Sequence, residues 1–544
     1  MKNLYNIIYS QKSHLTVLLF IVIVWFLIFI TSGSLFSSYH FTDDHTIVEI
    51  NYNLTNQNLN IIEVFNQWIK TDLLTGRFRP FYFIHRITIT RVLGINFWLW
   101  SIYTGILAIF TTLFFFVFAR LLNFSIKNAL LFSFLITLGE QSAVWWQLGP
   151  AETIGTFLLS ASVVLVVLSE KNNQHKILYE ASLIIVVLMM SLSKESFILV
   201  IPAIVFIKIW MSCKLKGLPW SQAIKKNNIS ISILGLIFSG ELLFVKFFLG
   251  LTPDIGYAGV DKSSLPNIIN ATKDLNEAGT LWIIIVCFFA IALMTRSPNF
   301  PSIIDILNYL YFPIILLFLV AAPQILLYAK TGISQRYILP GIFGYAFLLI
   351  SLCRYLNQHS KLIARLVLLF IMVTLGLRLN LAWEAAHTFA LEGKSTNALL
   401  QTLELKVTEQ DPILIVTNPL IYYEWNFSIK KYLNYVPNID NIYLVTYGNR
   451  NNYYSTPLNR TINNILNEIE KFYDYKTLDK IENKTNIQCI VTFPGMKNIF
   501  LKNSSSWFIR DKFEEYEFGH FNRNLNKNSK IYIYCKKLTD EREQ

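Results

Sequence analysis

Long apolar segments separated by short polar stretches dominate the chain from residue 15 to residue 381. A helix that spans a bilayer needs about 20 mostly apolar residues, and by this measure the pattern predicts about 11 spans. They lie near 15–31, 97–119, 128–146, 151–169, 177–192, 196–212, 228–250, 280–295, 303–328, 337–353 and 362–381. The first segment lacks a clear cleavage site and is followed by further spans, so we interpret it as a membrane anchor.

The pattern changes near residue 388 to short apolar runs of strand length, at 412–417, 441–447, 487–493 and 531–535. They are rich in Ile, Val and Tyr, as strands are, and residues 457–474 between them have the periodicity of an amphipathic helix. This alternation predicts a small α/β domain. We therefore predict a helical transmembrane domain over 1–385, with 33–96 as a first outer loop carrying juxtamembrane helices, and a soluble extracytoplasmic domain over 388–544.

Composition agrees with a membrane protein, because only 15% of the residues are charged and 53% are hydrophobic, whereas soluble domains carry about 25% charged residues. The net charge of +12 does not indicate nucleic acid as a partner, since no basic cluster stands apart from the membrane segments. Lys and Arg also set membrane topology and bind anionic lipid headgroups.

The distribution of basic residues places the N-terminus in the cytoplasm, and an odd number of spans then places the tail outside. The predicted cytoplasmic loops contain Arg120, Lys127, Lys171, Lys176, Lys208, Lys214, Lys216, Lys225, Lys226, Arg296, Arg354, Lys361 and Arg365. We expect an integral protein of a bacterial plasma membrane. Cys489 and Cys535 lie in the tail, and the sequence leaves open whether they form a disulfide.

Two adjacent carboxylates, Asp43 and Asp44, follow the first span by about a dozen residues. Such a pair can serve as a general base, as a ligand for a divalent metal ion, or as both. The plain alternative is a solvated loop with a chance acidic pair. Whether a metal cofactor is needed stays open at this point.

Basic and polar residues recur where predicted spans meet the same outer face. Guanidinium groups bind phosphate through two hydrogen bonds. Arg77, Arg79 and Arg336 are therefore candidate residues for binding an anionic substrate. Placing ionisable residues near the membrane costs free energy, so such residues indicate a function. The polar residues in the turns at the ends of three spans are therefore candidates as well. The candidate substrate-binding residues are Arg77, Arg79, Glu152, Lys194, Glu195, Arg336 and Tyr337.

Each of these features has a plainer interpretation as well. The arginines could reach lipid headgroups from the interface, and Lys194 and Glu195 could form an ordinary solvated turn. Trp145 and Trp146 fit an interfacial aromatic belt. Their joint position at one face nevertheless favours chemistry on a donor whose lipid stays in the bilayer and whose phosphate is the leaving group.

Four short motifs in this order resemble the GT-C superfamily of glycosyltransferases, which includes protein O-mannosyltransferases and aminoarabinose-type lipid A transferases. The motifs are Asp43-Asp44, Arg79-Pro80, Lys194-Glu195 and Arg336-Tyr337-Ile338-Leu339-Pro340. The resemblance covers roughly residues 10–385 and is nearest to the membrane halves of tetratricopeptide-bearing O-mannosyltransferases. The second acid is Asp where many members have Glu, and no tetratricopeptide repeat follows.

The resemblance implies that Asp43 is the catalytic base, that Asp44 is its neighbour or metal partner, and that Arg79 contacts the donor phosphate. The expected partners are a polyprenyl-phosphate-linked sugar donor, a glycan, lipid or protein acceptor, and membrane lipid. We expect the tail to shape access of the acceptor rather than to hold the base. A transporter, flippase or polymer ligase of lipid-linked glycans is the alternative, and a non-catalytic scaffold is a third.

Overall fold

A computed structural model of the chain describes residues 12–74, 76–249, 264–277, 280–295, 300–328, 333, 335–418, 421–446, 475–477, 484–505, 507–521 and 529–537. It is mostly helical, with a small sheet near the C-terminus. Helices predominate because lipid cannot hydrogen-bond to the backbone, so each spanning segment must satisfy its own peptide groups.

The first ten helices of the described residues include the first three long spans, the loop after the first of them and the start of the fourth span. They are α1 Lys12–Ser32, α2 His45–Thr55, α3 Ile61–Leu74, α4 Pro80–Leu93, α5 Phe97–Leu121, α6 Ile126–Thr137, α7 Ala143–Trp146, α8 Ala151–Lys171, α9 Lys176–Ser191 and α10 Glu195–Ile198. The remaining helices are α11 Ile201–Lys216, α12 Trp220–Lys226, α13 Asn228–Phe244, α14 Ser264–Glu277, α15 Thr280–Met294, α16 Ile303–Tyr328, α17 Leu339–His359, α18 Lys361–Lys406, α19 Tyr423–Tyr435 and α20 Lys497–Asn503.

Within the described ranges, eight helical segments are long and apolar enough to cross a membrane. They are Leu15–Ser32, Phe97–Leu121, Ala151–Lys171, Glu195–Lys216, Asn228–Phe247, Ile303–Tyr328, Arg336–His359 and Lys361–Lys406. The predicted span at 128–146 is instead a pair of helices bent by 68°. The predicted spans at 177–192 and 280–295 are helices of 16 and 15 residues.

The bend between α6 and the next turn has a local cause. Gly139 adopts a φ of 116°, a backbone conformation that residues with a Cβ rarely take. The Gln141 side chain then folds back and donates to the carbonyls of Leu135 and Ile136 at 3.1 and 2.9 Å. These bonds satisfy the last carbonyls of α6, which a helix end otherwise leaves without partners.

Trp145 and Trp146 follow this bend, and the interpretation of them as an interfacial belt is wrong. Both are buried. Their rings contact Trp25 of α1 at 6.1 and 5.9 Å between centroids. They therefore belong to the helical core, where large aromatic side chains add both burial and edge-to-face contacts.

The C-terminal domain contains a six-stranded sheet in the order β3-β2-β1-β4-β6-β5. The strands are β1 Ile413–Thr417, β2 Ile442–Thr446, β3 Lys476–Thr477, β4 Cys489–Thr492, β5 Phe513–Phe518 and β6 Ile531–Lys536. The first four are parallel, and β6 and β5 are antiparallel to their neighbours. The four predicted strands are thus confirmed, whereas the predicted helix at 457–474 lies outside the described residues.

A continuous helix joins the domain to the rest of the protein. Helix α18 has 46 residues and continues from the last span to the sheet without a break, so it crosses the predicted boundary at 385–388.

Cys489 and Cys535 are paired across β4 and β6 by a disulfide. The disulfide question that the sequence left open is answered in favour of pairing.

Candidate active site

One guanidinium group joins three separate parts of the chain at one end of the helical bundle. Arg336 lies in a 3-10 turn, Gln335–Ile338, immediately before α17. Its Nη1 lies 3.2 Å from Asp43 Oδ2 and also donates to Gln147 Oε1, and its Nε lies 3.5 Å from Glu152 Oε1. The loop after α1, the turn before α8 and the start of α17 therefore meet at a single cation.

A second cation completes the cluster. Lys194, in the turn after α9, donates through Nζ to Glu152 Oε1. The same Nζ lies 4.4 Å from the centre of the Tyr337 ring, and Tyr337 stacks on Tyr328 with 4.5 Å between ring centroids. Glu152 is therefore shared between two cations, while an aromatic pair forms one wall beside Lys194.

Asp43 differs from Glu152 in its access to solvent. The Asp43 side chain is 33% exposed, whereas that of Glu152 is 5% exposed. A base must reach the proton that it removes, so Asp43 is the carboxylate in this cluster that an incoming molecule can contact. Glu152 instead fixes the relative positions of Lys194 and Arg336.

The backbone beside Asp43 is tightly packed against a glycine. A Cβ at Gly149 would lie 1.9 Å from Asp43 Cβ and 2.8 Å from the Asp43 carbonyl carbon, which no real contact allows. The turn that contains Gly149 is anchored by α4, because Tyr82 Oη donates to Gly149 O at 2.8 Å and Arg86 donates to Leu148 O. Gly149 thus sets how closely Asp43 approaches the turn.

Asp44 points away from this cluster. It is buried and accepts hydrogen bonds from the His40 backbone N–H at 3.1 Å and from His40 Nδ1 at 3.1 Å. The other ring nitrogen of His40 lies 2.9 Å from the carbonyl of Phe389 in α18. The acidic pair is therefore divided, with Asp43 in the cluster and Asp44 tying the loop to α18.

The separation of Asp43 from Asp44 affects whether the two carboxylates can share the predicted divalent metal ion. Within the described residues, no group of three or more His, Cys, Asp or Glu side chains is arranged to hold one. Asp43 and Asp44 do not form a shared oxygen cage, because Asp44 is committed to His40. Dependence on a divalent ion remains a prediction, and the steps proposed below use none.

Arg79 forms a separate ion pair at the start of α4. Its Nη2 lies 2.5 Å from Asp72 Oδ1, and its backbone N–H donates to Asp72 Oδ2 at 2.9 Å. Burial opposes the charged form of Arg79, but the Asp72 carboxylate outweighs burial and raises the pKa of the guanidinium above its ordinary value. Arg79 is therefore charged and already partnered, and Asp72 was not recognised in the sequence.

The other predicted residues of this region lie beside Arg79. Glu195 accepts a bond from the Phe78 backbone N–H at 3.4 Å, and the Arg77 backbone N–H donates to Asp72 O at 2.9 Å. The structure thus brings together Asp43, Glu152, Lys194, Arg336 and Tyr337. It places Arg77, Arg79 and Glu195 in a neighbouring group.

The C-terminal domain packs directly on the segment that precedes Asp43. Tyr39 and Phe41 belong to the same buried cluster as the sheet residues. The contacts of the domain with this segment are more extensive than a role in acceptor access alone requires.

Two solved structures are similar to the fold of this chain. ArnT from Cupriavidus metallidurans bound to undecaprenyl phosphate is 10% identical to the chain, with 96% of this chain and 98% of that chain covered and a TM-score of 0.46. The apo state of the same ArnT is 11% identical, with the same coverage and a TM-score of 0.47.

No protein-family model and no curated protein sequence matches the chain. Because both TM-scores lie below 0.5, the functional proposal rests on the pocket itself.

Proposed function

We propose that the protein is an integral-membrane glycosyltransferase that moves a sugar from a polyprenyl-phosphate donor to an acceptor at the extracytoplasmic face. One observation carries the proposal: Asp43, Glu152, Lys194 and Arg336 converge from four distant parts of the chain at the outer ends of the spans. The cluster combines an exposed carboxylate with two cations at a water–lipid boundary. That combination suits the removal of a proton next to a phosphate leaving group.

The charges in the cluster define what happens when a donor binds. Two cations and two carboxylates sum to zero, so an added phosphate must compete with a carboxylate for Arg336 or Lys194. Arg336 forms its pair with the more exposed carboxylate, and guanidinium groups suit phosphate geometry. We assign the donor phosphate to Arg336 and Lys194, with Arg336 exchanging Asp43 for phosphate oxygen.

This exchange prepares Asp43 for catalysis. A carboxylate paired with a cation is a weaker base than a free one, so donor binding makes Asp43 more basic at the moment it is needed. Asp43 then takes the proton of the acceptor hydroxyl or amine, whose oxygen or nitrogen attacks the anomeric carbon. The bond from that carbon to phosphate oxygen breaks, polyprenyl phosphate leaves, and a single displacement inverts the configuration.

The cations act on the leaving group, because preorganised positive charge lowers a barrier most where negative charge grows. Arg77, Arg79 and Glu195 remain predicted substrate-binding residues. Contact of Arg79 with the donor requires that its side chain leave Asp72. The sugar and the acceptor are left open as glycan, lipid or protein.

Two features support an extracytoplasmic position of the pocket and the tail. Disulfides such as Cys489–Cys535 persist mainly in oxidising compartments. The basic residues of the predicted cytoplasmic loops favour the opposite face for the pocket. A transporter or flippase is less well supported, since such proteins place ionisable residues near the bilayer midplane, whereas these four lie at span ends.

The test is Asp43→Asn, which keeps size and shape but removes basicity. Mass spectrometry of envelope glycans and polyprenyl-phosphate sugars should show accumulated donor and lost product, with turnover reduced about 10²–10⁴-fold, the usual contribution of a positioned base. Asp511→Asn, at an exposed position of the C-terminal domain, is the control and should behave as the wild type. Full activity of Asp43→Asn at normal membrane expression would show that the assignment is wrong.

A further inference from the structure

The order of strands in the C-terminal sheet creates a crevice of the kind that binds ligands in other α/β sheets. Strand β1 lies between β2 and β4, all parallel, and the chain leaves β1 towards one side and returns on the other. In open α/β sheets, ligands bind at such a switch point, outside the carboxyl ends of the strands. Here this place lies beyond Thr417 of β1 and Thr492 of β4.

A side chain of the first outer loop occupies this crevice. Phe41 is fully buried. Its ring lies 6.3 Å from that of Phe493, which directly follows β4, and 6.1 Å from Trp425 in the first turn of α19. Phe521 stacks on Phe41 at 6.2 Å with an interplanar angle of 12°. The domain thus holds a peptide segment of its own chain where related sheets hold ligands.

One side chain of the domain bonds to the backbone that leads to Asp43. Ser428 Oγ lies 2.6 Å from Tyr39 Oη, 3.3 Å from His40 O and 3.4 Å from Thr42 O. Tyr39 Oη also donates to Ser428 O at 2.8 Å. The carbonyl of Thr42 shares a peptide plane with the nitrogen of Asp43, so its position directly affects the direction of the Asp43 side chain.

A partly buried ion pair reinforces this contact. Lys431 Nζ, one turn along α19 from Ser428, lies 2.8 Å from Glu49 Oε1 in α2. The segment from Tyr39 to Glu49 is therefore held at both ends by α19. On its far side, Gly149 leaves Asp43 no room to shift towards the membrane domain.

We propose that the C-terminal domain is a working part of the active site and that Ser428 is a positioning residue for Asp43. The inference rests on the proposed function, in which Asp43 is the base. Misplacing a reacting group by about 1 Å costs on the order of 10²-fold in rate. The crevice of the sheet is thus used to fix a catalytic segment rather than to bind a separate ligand.

The experiment compares Ser428→Ala with Ser504→Ala in the full-length protein. Both serines are buried in the same domain, but Ser504 Oγ bonds only within its own helix end, to Phe500 O at 2.7 Å. With a polyprenyl-phosphate sugar as donor, Ser428→Ala should lower kcat roughly tenfold or more and leave the donor KM unchanged. Ser504→Ala should leave both constants unchanged, and Ser428→Thr, which keeps the hydroxyl, should restore most of kcat.

A second measurement does not depend on the activity. Hydrogen–deuterium exchange of residues 37–45 should become faster in Ser428→Ala and stay at the wild-type rate in Ser504→Ala. Wild-type exchange in this segment together with wild-type kcat in Ser428→Ala would overturn the inference. Failure of the proposed function would be seen separately, as full activity of Asp43→Asn.

Discussion

Two ion networks of similar composition lie at opposite ends of the helical bundle, and we call them outer and inner after the proposed orientation. Each has two carboxylates, with two cations in the outer network and three in the inner one. The outer network is Asp43, Glu152, Lys194 and Arg336, and the inner network is Glu170, Glu180, Lys176, Lys208 and Lys216. Only the outer one has been proposed as a reaction centre, and the comparison shows why composition alone cannot decide this.

The central cation of the inner network, Lys208, already has an acceptor for each of its protons. Lys208 is completely buried. Its ammonium group, which has three protons to donate, lies 3.2 Å from Ser169 Oγ, 3.1 Å from Glu170 Oε1 and 3.0 Å from Glu180 Oε1. Its members come from the neighbouring helices α8, α9 and α11. Lys208 and Glu170 are fully buried and bonded to their neighbours, so the network acts as a structural lock.

The outer network is open. Its pairs join residues as far as 293 positions apart, and both Asp43 and Arg336 are partly exposed. A guanidinium has five N–H donors in a planar fork, so Arg336 can exchange partners when phosphate arrives. A structural ion network and a candidate reaction site therefore differ less in charge than in two other properties. These are whether the donors already have all their acceptors and whether solvent reaches the charged groups.

Lys208→Ala should have the largest effect on folding. It leaves Glu170 and Glu180 facing each other without their shared cation, and breaking a buried ion pair by removing one partner costs about 3–5 kcal/mol. We expect a strong loss of folded protein in size-exclusion profiles and a lower Tm. Lys216→Ala, at a partly exposed position, should be much milder, and equal behaviour of the two variants would contradict the idea of a lock.

Gly149→Ala should have the next largest effect, on activity. The added methyl group must displace Asp43, including its backbone, and we expect turnover of the folded protein to fall on the order of 10²-fold, together with a loss of about 1–3 kcal/mol of stability from overpacking. Gly235→Ala is the matched control, because a Cβ there meets nothing within 4 Å. Normal turnover in Gly149→Ala would mean that Asp43 need not stay where it is.

Glu152→Gln should have the smallest of the three effects, and in an unusual direction. Loss of this carboxylate makes Lys194 and Arg336 more available to phosphate, so the donor KM should fall about fivefold, near the net value of about 1 kcal/mol for one hydrogen bond. Turnover should fall as well, because the cations lose their fixed spacing. Glu170→Gln should not change the donor KM, and a fall there would abolish the distinction between the two networks.

Much of the fold was predictable because hydrophobic patterns are local. The predicted span 97–119 is a helix over Phe97–Leu121, and the apolar run at 412–417 is β1. Strand β5 was missed because its sequence, FEEYEF, is rich in Glu and does not form an apolar run. The extension of α18 to Lys406 was missed because good helix formers continue the helix after the apolar pattern ends.

The members of the site could be named from the sequence, but their partners could not. Each is a polar residue next to an apolar segment, which is a local signal. Adjacent residues such as Asp43 and Asp44 look equivalent in the sequence, yet one faces the pocket and the other bonds to His40. The pairing of Arg79 with Asp72, and the need for glycine at 149, depend on how distant segments pack.

The insertion of Phe41 into the C-terminal sheet has a consequence for biogenesis. Tyr39 and Ser428 are 389 positions apart, and Phe493 follows later still, so the partners of the segment that leads to Asp43 are synthesised long after the segment itself. Contacts between such distant residues form slowly during folding. Asp43 therefore reaches its final position only once the C-terminal domain has been synthesised and folded, so an incompletely made chain lacks the assembled cluster.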